Sequence, residues 1–344
     1  MDYEVIIVGA SFAGLAVAAQ LKGYRVLVID RQPIGAGQTS ACGTPLSVLA
    51  SLGLIEAVQQ VHDNLVLHVG QRTDTYRFPR PYCTFDYALF CRLLWARNDA
   101  EFLQARALGC QGNTVETSRG FFSARLLVDA SGWRAVLASA LEPGLVCRGR
   151  LNFGLETTTS WQGEGLHFWH DLDGLALQGM GWAFPAGAES RIGVASYCGR
   201  TALGASLDRL LQRLGCQRGH IHGGYFPRSL GRPVVRHLFL VGDAAGHCLG
   251  FNGEGIRPAL FFGFWLGRLL RQVLAGELDV ERARRAYAQL VSRRRWGYAG
   301  MLVGQRLLMS LSPTGVNIWL WLMRHTGIGD LSLRRYVRAF TFPV

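Results

Sequence analysis

A strand–turn–helix–strand pattern at the N-terminus constrains the fold more than any other feature of the sequence. Tyr3 to Val8 is a short, apolar, β-branched run, which is typical of a parallel strand buried on both faces. Glycine follows this run, Phe12 to Lys22 carries apolar residues at helical spacing, and Arg25 to Asp30 is a second buried strand. This order of elements is that of a βαβ unit. The sequence therefore predicts an α/β fold.

The turn between the first strand and the helix reads Gly9-x-Ser11-x-x-Gly14. Such a turn can pass close to a diphosphate, because glycine permits tight dihedrals and the helix N-terminus adds partial positive charge. Ser11 stands where the usual motif has its middle glycine, so the turn alone is weak evidence. Asp30, at the end of the second strand, is placed to accept hydrogen bonds from a ribose and disfavours a 2′-phosphate. The pattern favours FAD or NAD over NADP; the alternative is an aspartate that only caps a turn.

A second glycine-rich turn, Gly242-Asp243-Ala-Ala-Gly, follows the buried strand His237 to Val241. Glu254-Gly255-Ile256 then opens a helix that is predicted to run to about Ala275. An aspartate in this position can accept from a ribityl hydroxyl, and the helix N-terminus can face the flavin pyrimidine ring. Two such turns far apart in sequence favour FAD over NAD, because they suit a cofactor that lies extended across a domain. The alternative is a strand–turn–helix segment that only packs in the hydrophobic core and binds no cofactor.

Several motifs together resemble one flavoprotein superfamily, that of the aromatic hydroxylases, flavin-dependent halogenases and geranylgeranyl reductases. They are the Gly9-x-Ser11-x-x-Gly14 turn, Asp30, Asp129-Ala-Ser-Gly, Gly242-Asp-Ala-Ala-Gly and Gly253-Glu-Gly-Ile. Within this superfamily the sequence is most similar to the geranylgeranyl reductase family, through Ala41-Cys-Gly, Gly181-Trp-Ala-Phe-Pro and the spacing of the last two motifs. The resemblance implies a Rossmann-like FAD-binding domain, a second domain with an antiparallel sheet and a C-terminal helical extension.

The resemblance also implies which residues contact the FAD. The first turn would meet the diphosphate, Asp30 the ribose, Ala105 the adenine through its backbone, and Asp243 the ribityl chain. The implied set is Gly9, Ser11, Ala13, Gly14, Asp30, Arg31, Cys42, Gly43, Pro45, Ala105, Asp243, Gly253, Gly255 and Ile256. Trp182 and Phe184 would line a substrate cavity, although aromatic residues of an antiparallel sheet more often form plain core. The sequence identifies no catalytic residue.

The domain organisation follows from a change of pattern along the chain. Between residues 150 and 227 the apolar runs become short and alternating, which is typical of an antiparallel sheet. We therefore predict a discontinuous FAD-binding domain, a substrate domain and a C-terminal helical region. Their boundaries are 1–60, 84–147 and 228–275 for the first, 61–83 and 148–227 for the second, and 276–344 for the third.

The amino-acid composition limits which partners and which cellular compartment are expected for the protein. The 344 residues are 49% hydrophobic and 17% charged, and the formal net charge is +12. Basic charge alone is evidence only of non-specific association, and no nucleic-acid-binding motif accompanies it, so no nucleic-acid partner is expected. The eight cysteines include no C-x-x-C pair and no metal-ligand spacing, which favours reduced thiols and no metal site. With no signal-peptide pattern, we expect a cytoplasmic protein.

The C-terminal region combines arginine clusters with apolar runs. Residues 281–296 resemble a basic amphipathic helix, and residues 307–323 carry no charge but contain Pro313 and Gly315. A membrane-spanning helix needs about twenty uninterrupted apolar residues, so it is disfavoured. An apolar wall beside a lipid substrate or a peripheral membrane contact remains open. The alternative is a helical lid packed on the sheet.

These observations predict an FAD-dependent oxidoreductase that reduces C=C bonds of a prenyl or other apolar substrate by hydride transfer from reduced flavin. No second dinucleotide turn is found, so NAD(P)H, ferredoxin or reduced flavin must supply electrons from outside. One alternative is a monooxygenase or halogenase that acts on an aromatic or polyketide-type substrate, although Lys22 is badly placed to carry a halogen. Another alternative is a non-catalytic flavin- or lipid-binding protein.

Overall fold

A computed structural model of the chain describes residues 2–171 and 179–340. The chain separates into two compact units, each assembled from three segments. The first contains the chain up to Gly37, Ala88–Arg150 and Phe226–Leu302. The second contains Gln38–Tyr87, Leu151–Tyr225 and the chain from Val303. The functional domain boundaries given above stay a prediction.

The β-strands of the described residues are numbered in chain order. They are β1 (Tyr3–Val8), β2 (Val26–Asp30), β3 (Gly43–Pro45), β4 (Val58–Val69), β5 (Arg72–Phe85), β6 (Glu101–Gln104), β7 (Ala107–Gln111), β8 (Thr114–Thr117), β9 (Gly120–Asp129), β10 (Leu151–Thr159), β11 (Leu166–Asp171), β12 (Gly179–Ala186), β13 (Glu189–Ser196), β14 (Ile221–Pro227), β15 (Val234–Val235) and β16 (Leu238–Leu240).

The α-helices are numbered in the same way. They are α1 (Phe12–Ala18), α2 (Leu46–Ser51), α3 (Tyr87–Trp95), α4 (Val136–Leu141), α5 (Gly204–Arg213), α6 (Ile256–Leu274), α7 (Val280–Ser292), α8 (Arg295–Ser310), α9 (Pro313–His325) and α10 (Ile328–Arg338).

The sheet of the first unit has a parallel centre in the order β16–β9–β1–β2–β6. The residues Val5, Ile6 and Ile7 of β1 are fully buried, which explains why the strand is apolar from Val5 onward. Strand β15 pairs antiparallel with β16 at one edge, and the β7–β8 hairpin continues from β9. The predicted α/β fold and its first two strands are confirmed.

Helices α1 and α6 pack closely in the first unit because small residues lie between them. A Cβ atom at Gly263 would lie 2.6 Å from the Ala13 carbonyl oxygen, and one at Gly267 would lie 2.8 Å from that of Val17. Glycine is therefore required where the two backbones meet. Helix α1 ends at Ala18, earlier than the predicted Lys22, and Gly23 turns the chain with a φ of 91°.

The second unit is built on a sheet in the order β14–β10–β13–β12–β11–β4–β5–β3. The pairs β10–β13, β13–β12 and β12–β11 are antiparallel, as predicted for this part of the chain. The pairs β4–β5 and β5–β3 are also antiparallel, whereas β11 runs parallel to β4. Helix α5 covers one face by packing on Ala183, Ile192 and Val194. The other face carries Phe184, with Trp182 packed against the same cluster.

The C-terminal region is helical, as predicted. Helix α7 packs on the first unit through Tyr287, whose hydroxyl donates to the Leu240 carbonyl oxygen at 3.0 Å. In the second unit α9 packs through Val316 and Leu320. Pro313 begins α9 instead of breaking it, because Ser312 caps the helix by accepting from the Gly315 N–H. Within residues 2–171 and 179–340, no helix combines the length and the apolarity that crossing a membrane requires.

Candidate cofactor and substrate site

The first glycine-rich turn is packed so tightly that two of its positions exclude any side chain. A Cβ atom at Gly9 would lie 2.2 Å from the Ala130 carbonyl oxygen, and one at Gly14 would lie 1.9 Å from the Gly9 carbonyl oxygen. Gly9 also has a φ of 114°, which side-chain-bearing residues rarely adopt. Helix α1 begins directly after this close turn, and the first N–H groups of a helix have no partner within the helix itself. This is the geometry in which a helix N-terminus binds phosphate.

Three aspartates follow parallel strands of the first unit: Asp30 at the end of β2, Asp129 at the end of β9, and Asp243 after β16. The carboxylate of Asp129 is fully buried and accepts from the N–H and hydroxyl of Ser131 and from the Ala138 N–H. Burial raises the pKa of Asp129, and these donors oppose that rise. Asp129 thus serves the fold by tying β9 to α4.

Asp30 is held by the backbone of the same turn. Its Oδ2 accepts from the Ala10 N–H at 2.8 Å and its Oδ1 accepts from the Gln32 N–H at 2.9 Å. Asp30 is only half-buried, and a carboxylate has lone pairs beyond those two bonds. The neighbouring Arg31 is exposed, and the buried Ala105 donates its N–H to the Asp30 carbonyl oxygen at 2.8 Å. These contacts bring the predicted ribose and adenine residues to one edge of the sheet.

The second glycine-rich turn lies directly on the first. Gly242 has a φ of 65°, and a Cβ atom there would lie 2.9 Å from the Ala13 Cβ. Its N–H donates to Nδ1 of His247 at 3.2 Å, so the imidazole must be neutral, and burial lowers its pKa to about 3. The two glycine-rich turns, which lie far apart in the sequence, therefore meet in the first unit.

Asp243 differs from the other two strand-end aspartates because, within the described part of the chain, no group donates a hydrogen bond to its carboxylate. Burial raises its pKa to about 6. A Cβ atom at Gly255 would lie 3.6 Å from Oδ1 of Asp243 and 3.6 Å from Sγ of the buried Cys248. The absent side chain at Gly255 leaves the carboxylate open on that side. An acceptor held without a donor suits a hydroxyl-bearing ligand.

A buried ion pair stabilises the start of helix α6. The guanidinium of Arg257 is 1% exposed and binds Glu254 at two points, Nε to Oε1 at 2.7 Å and Nη2 to Oε2 at 2.8 Å. Such bidentate pairs are geometrically specific. Because Glu254 precedes the helix and Arg257 lies in its first turn, the pair holds Gly255 and Ile256 between them. Gly253, with a φ of 71°, makes the preceding bend.

The predicted flavin-facing segment of the second unit has a strained backbone. Cys42 is fully buried and has a φ of 52°, a left-handed conformation that is uncommon for a residue with a side chain. Gly43 lies under the ring of Phe184, because a Cβ atom there would be 2.8 Å from Cε2 of that ring. Pro45 is buried and directly precedes α2.

Hydrogen-bonded polar side chains lie on the face of the second sheet that carries Trp182 and Phe184. The indole N–H of Trp182 donates to Oε2 of Glu156 at 2.8 Å, and Nε2 of His222 lies 3.0 Å from Oε1 of the same carboxylate. Gly193 lies between Glu156 and Trp182 in the register, and a Cβ atom there would be 2.2 Å from Cζ2 of the indole. The indole ring of Trp182 therefore packs directly on the backbone of Gly193.

Sequence reasoning missed Arg191, Glu156, His222 and Arg257. A charged residue inside an apolar strand, such as Arg191 in the β13 sequence, is a signal that can be read in advance. Glu156 gives a weaker signal, since a polar residue on alternate positions of a strand usually faces solvent. The structure places it 3% exposed instead.

Comparison with known proteins identifies solved structures that share this fold. No protein-family model and no curated protein sequence matches the chain. Among solved structures, a geranylgeranyl bacteriochlorophyll reductase-like protein from Thermoplasma acidophilum superposes with a TM-score of 0.81 at 19% identity, covering 91% of this chain and 89% of that one. The chain has the fold of FAD-dependent oxidoreductases. The predicted resemblance to this flavoprotein superfamily is confirmed at the level of the fold.

Two other similar structures have names that describe different reactions. A probable FAD-dependent monooxygenase from Pseudomonas aeruginosa has a TM-score of 0.69 at 18% identity, covering 90% of this chain and 96% of that one. A myxobacterial chondrochloren halogenase has a TM-score of 0.71 at 17% identity, covering 99% of this chain and 98% of that one. The fold is thus shared by proteins of several reaction types.

Proposed function

We propose that the chain binds FAD in an extended form along the first unit. The proposal rests on the contact of Gly242 with Ala13, which brings the two glycine-rich turns together. Among the described residues, no group donates a hydrogen bond to the Asp243 carboxylate beside them. The residues present fit the group. The N-terminus of α1 suits the diphosphate, Asp30 the ribose, and Asp243 a ribityl hydroxyl.

Further residues are proposed to complete the site. Arg31 and Ala105 lie beside the ribose and adenine positions, Gly253, Gly255 and Ile256 beside the ribityl chain, and Cys42, Gly43 and Pro45 along the flavin ring. The positions of Gly9, Ser11 and Gly14 shape the turn at the diphosphate. This assignment extends the positional resemblance drawn from the sequence.

We propose that the reaction is reduction of C=C bonds in a prenyl chain or another apolar substrate. When bound, reduced FAD would supply the hydride for such a reduction. The protein's own residues would align the substrate and exclude water, with Trp182 and Phe184 as the apolar wall. The fold likeness to a geranylgeranyl bacteriochlorophyll reductase-like protein supports this reading. Electrons would come from NAD(P)H, ferredoxin or reduced flavin.

Monooxygenation or halogenation is the second candidate function. The likeness to a probable FAD-dependent monooxygenase and to a halogenase favours it, and an aromatic or polyketide-type substrate would fit the same apolar wall. The two candidates differ in what they do with oxygen. Anaerobic incubation of the chemically reduced protein with geranylgeranyl lipids separates them.

In that experiment the reductase proposal expects flavin reoxidation without oxygen and a product that is heavier by two hydrogen atoms per reduced bond. No saturation of any prenyl substrate, together with oxygen-dependent incorporation of an oxygen atom into an aromatic probe, would replace it by the second candidate. A flavin that chemical reductant reduces but that no substrate reoxidises would leave a non-catalytic binding protein.

We also propose a peripheral contact with an anionic membrane through the C-terminal helices. Ile318, Trp321 and Leu322 of α9 are 57%, 50% and 46% exposed and share one face of the helix. From residue 303 onward the sequence has five arginines and one acidic residue, Asp330. Exposed apolar side chains beside cationic ones are typical of helices that lie in a membrane interface.

Sedimentation with lipid vesicles tests this contact. We expect the protein to pellet with phosphatidylglycerol vesicles and to stay in the supernatant with phosphatidylcholine vesicles. Ile318→Glu should abolish the binding, whereas Ile55→Glu, at an exposed site of the same unit, should not. Equal binding of all three proteins would contradict the proposed surface.

A further inference from the structure

Three arginines follow strands that end at one edge of the first unit's sheet. Strands β2, β6 and β9 all run parallel to β1 or to one another, so their carboxyl ends lie at the same edge. Arg31 comes directly after β2, Arg106 two residues after β6 and Arg134 five residues after β9. Ligands of open parallel sheets bind outside this edge. The three arginines therefore lie where a ligand of this sheet is expected.

The residues next to these arginines pack in one hydrophobic cluster of the first unit. Ile29, Ala105 and Ala135 are buried members of it, and each lies within two positions of one arginine. Val146 packs against the same cluster and lies two residues before a fourth arginine, Arg148. The packing of the backbone thus brings four arginines to one region of the unit.

The four guanidinium groups are close enough for their charges to interact. Partial burial lowers the pKa of Arg134, and the positive charges of Arg31, Arg106 and Arg148 lower it further. All four residues are exposed, and none forms an ion pair with a carboxylate of residues 2–171 or 179–340. Like charges that are held together without a counter-charge repel one another. A bound anion would relieve this repulsion.

The carboxylates at the same strand ends do not supply that counter-charge. Asp129 is fully buried and accepts from Ser131 and from the Ala138 N–H, and Asp30 accepts from two backbone N–H groups. Helix α1 connects β1 to β2, so its N-terminus, the proposed position of the diphosphate, also lies at this edge. Guanidinium groups bind phosphate oxygens through paired hydrogen bonds. The arginines therefore suit the two negative charges of a diphosphate.

The turn that carries Arg134 has a fixed backbone. Gly132 has a φ of 75° and the fully buried Ala135 a φ of 43°, so left-handed residues lie on both sides of Trp133 and Arg134. The Ser139 hydroxyl donates to the Arg134 carbonyl oxygen at 2.8 Å, and the guanidinium lies 4.4 Å from the centre of the Trp133 ring. A non-glycine residue with positive φ persists only where its surroundings determine it, and such residues cluster at functional sites.

We propose that Arg31, Arg106, Arg134 and Arg148 form one phosphate-binding cluster that holds the adenosine diphosphate half of FAD. The proposal rests on the proposed function in one respect, that FAD binds along the first unit. It goes beyond that function by assigning binding roles to Arg106, Arg134 and Arg148, which no sequence motif identified. ADP carries the same diphosphate and adenosine, so the full-length protein freed of flavin should bind ADP as well.

Calorimetric titration with ADP and with FAD compares Arg134→Met with the wild-type protein. We expect the Kd for both nucleotides to rise roughly fivefold, because a charged donor to phosphate is lost. Arg25→Met is the matched control. Arg25 is also exposed and lies over an aromatic ring, that of Tyr3 at 5.8 Å, but it precedes β2 and so lies at the opposite edge of the same sheet. It should leave both Kd values unchanged.

The salt dependence of ADP binding separates a phosphate-binding role from structural support. The Debye length falls from about 10 Å at 0.1 M salt to about 3 Å at 1 M. We expect the wild-type Kd for ADP to rise several-fold over this range of NaCl, and to rise much less in the double variant Arg106→Met/Arg134→Met. If the arginines only support the fold, the double variant will lower the melting temperature and keep the wild-type salt dependence. That result would overturn the proposal.

The outcomes also distinguish this cluster from the proposed function. Wild-type protein that binds FAD, with equal Kd values in Arg134→Met and Arg25→Met, would overturn the cluster and leave the FAD site standing. Arginine-dependent binding of ADP without any binding of FAD would overturn the proposed function and support the phosphate-binding cluster. Binding of neither nucleotide would overturn both. Arg106→Met, a change at a second exposed position, gives the same comparison if Arg134→Met does not fold.

Discussion

Three strand-end aspartates of one sheet differ in the hydrogen-bond donors that surround each carboxylate. Asp129 receives donors from Ser131 and Ala138 and serves the fold. Asp30 receives two backbone donors and keeps capacity for more. Asp243 receives none within the described residues, so its charged form is destabilised by burial. A residue that costs stability in this way is expected to gain its stabilisation from a ligand.

Asp243→Ala should therefore stabilise the apoprotein while weakening FAD binding. The pKa of Asp243 is raised from 3.8 to about 6 in the folded state. For a raised pKa, the favourable contribution is complete below about pH 4 and is lost as the pH rises through about 6. At pH 7.5 the variant should gain about 1–3 kcal/mol in free energy of unfolding, and its Kd for FAD should rise roughly tenfold.

Urea unfolding of the apoprotein and FAD titration check these two effects. Asp129→Ala is the comparison, since removal of its well-satisfied carboxylate should lower the free energy of unfolding. An Asp243→Ala protein that is less stable than wild type, with unchanged FAD affinity, would show that Asp243 serves the fold instead.

A pair of histidines in the second unit should make stability depend on pH. Nε2 of His167 lies 2.9 Å from the Glu164 carbonyl oxygen and must donate, so its Nδ1 accepts from Nε2–H of His68 at 3.0 Å. Nδ1 of His68 then accepts from the Thr73 hydroxyl at 3.0 Å. This arrangement requires a neutral His167 ring, and in this tautomer the His68 ring is neutral as well. Burial lowers the pKa of His68 to about 4 and also lowers that of His167.

For these lowered pKa values, stability is complete above about pH 6.5 and is lost as the pH falls towards about 4. His68→Phe keeps an aromatic ring against Trp169, which lies 4.4 Å from the His68 ring, but cannot titrate. We expect the loss of unfolding free energy between pH 7.5 and pH 5 to be smaller in the variant by about 1–2 kcal/mol. Chemical denaturation at the two pH values measures it. Parallel losses would contradict the assigned neutral pair.

At the scale of elements, glycines set how closely secondary structures approach the site. Gly263 and Gly267 let α6 approach α1, and Gly193 lets the Trp182 indole lie flat on β13. These positions cannot be separated from ordinary glycines by sequence alone. Gly300, for example, is also helical, but a Cβ atom there would meet no neighbouring element within 4 Å. The difference lies in neighbours that are remote in sequence.

Gly263→Ala should disturb both stability and cofactor binding. The added Cβ would lie 2.6 Å from the carbonyl oxygen of Ala13, the residue on which Gly242 rests. We expect a loss of about 1–3 kcal/mol in free energy of unfolding and a weaker FAD complex. Gly300→Ala is the control and should be neutral or stabilising by up to about 1 kcal/mol. Thermal melts with and without FAD compare the two, and equal behaviour would contradict the assigned packing.

Gly193→Ala tests whether the Trp182 indole packs on the backbone of Gly193. The new methyl group would collide with the indole, at 2.2 Å from Cζ2, and would displace the N–H from Glu156. We expect a loss of about 2–3 kcal/mol in free energy of unfolding. In a Trp182→Ala background the same substitution should cost much less, because the colliding atoms are gone. A double-mutant cycle measures this coupling, and additive effects would contradict the geometry.

Across the fold, the sequence predicts the helices and strands whose signals are local. The β1–α1–β2 unit, the strand before Asp243 and the long α6 all follow from periodicity and glycine placement. The sequence does not predict the parallel pairing of β4 with β11 or the contact of Arg191 with Ala41, which lie 150 residues apart. Such contacts depend on tertiary packing, which a single sequence does not encode locally.

FAD titration of the purified protein shows whether the chain holds FAD between its two glycine-rich turns. We expect saturable binding, with the visible absorption of a bound flavin, that weakens roughly tenfold in Asp243→Ala. A protein that neither carries nor binds flavin would show that the two turns do not form an FAD site.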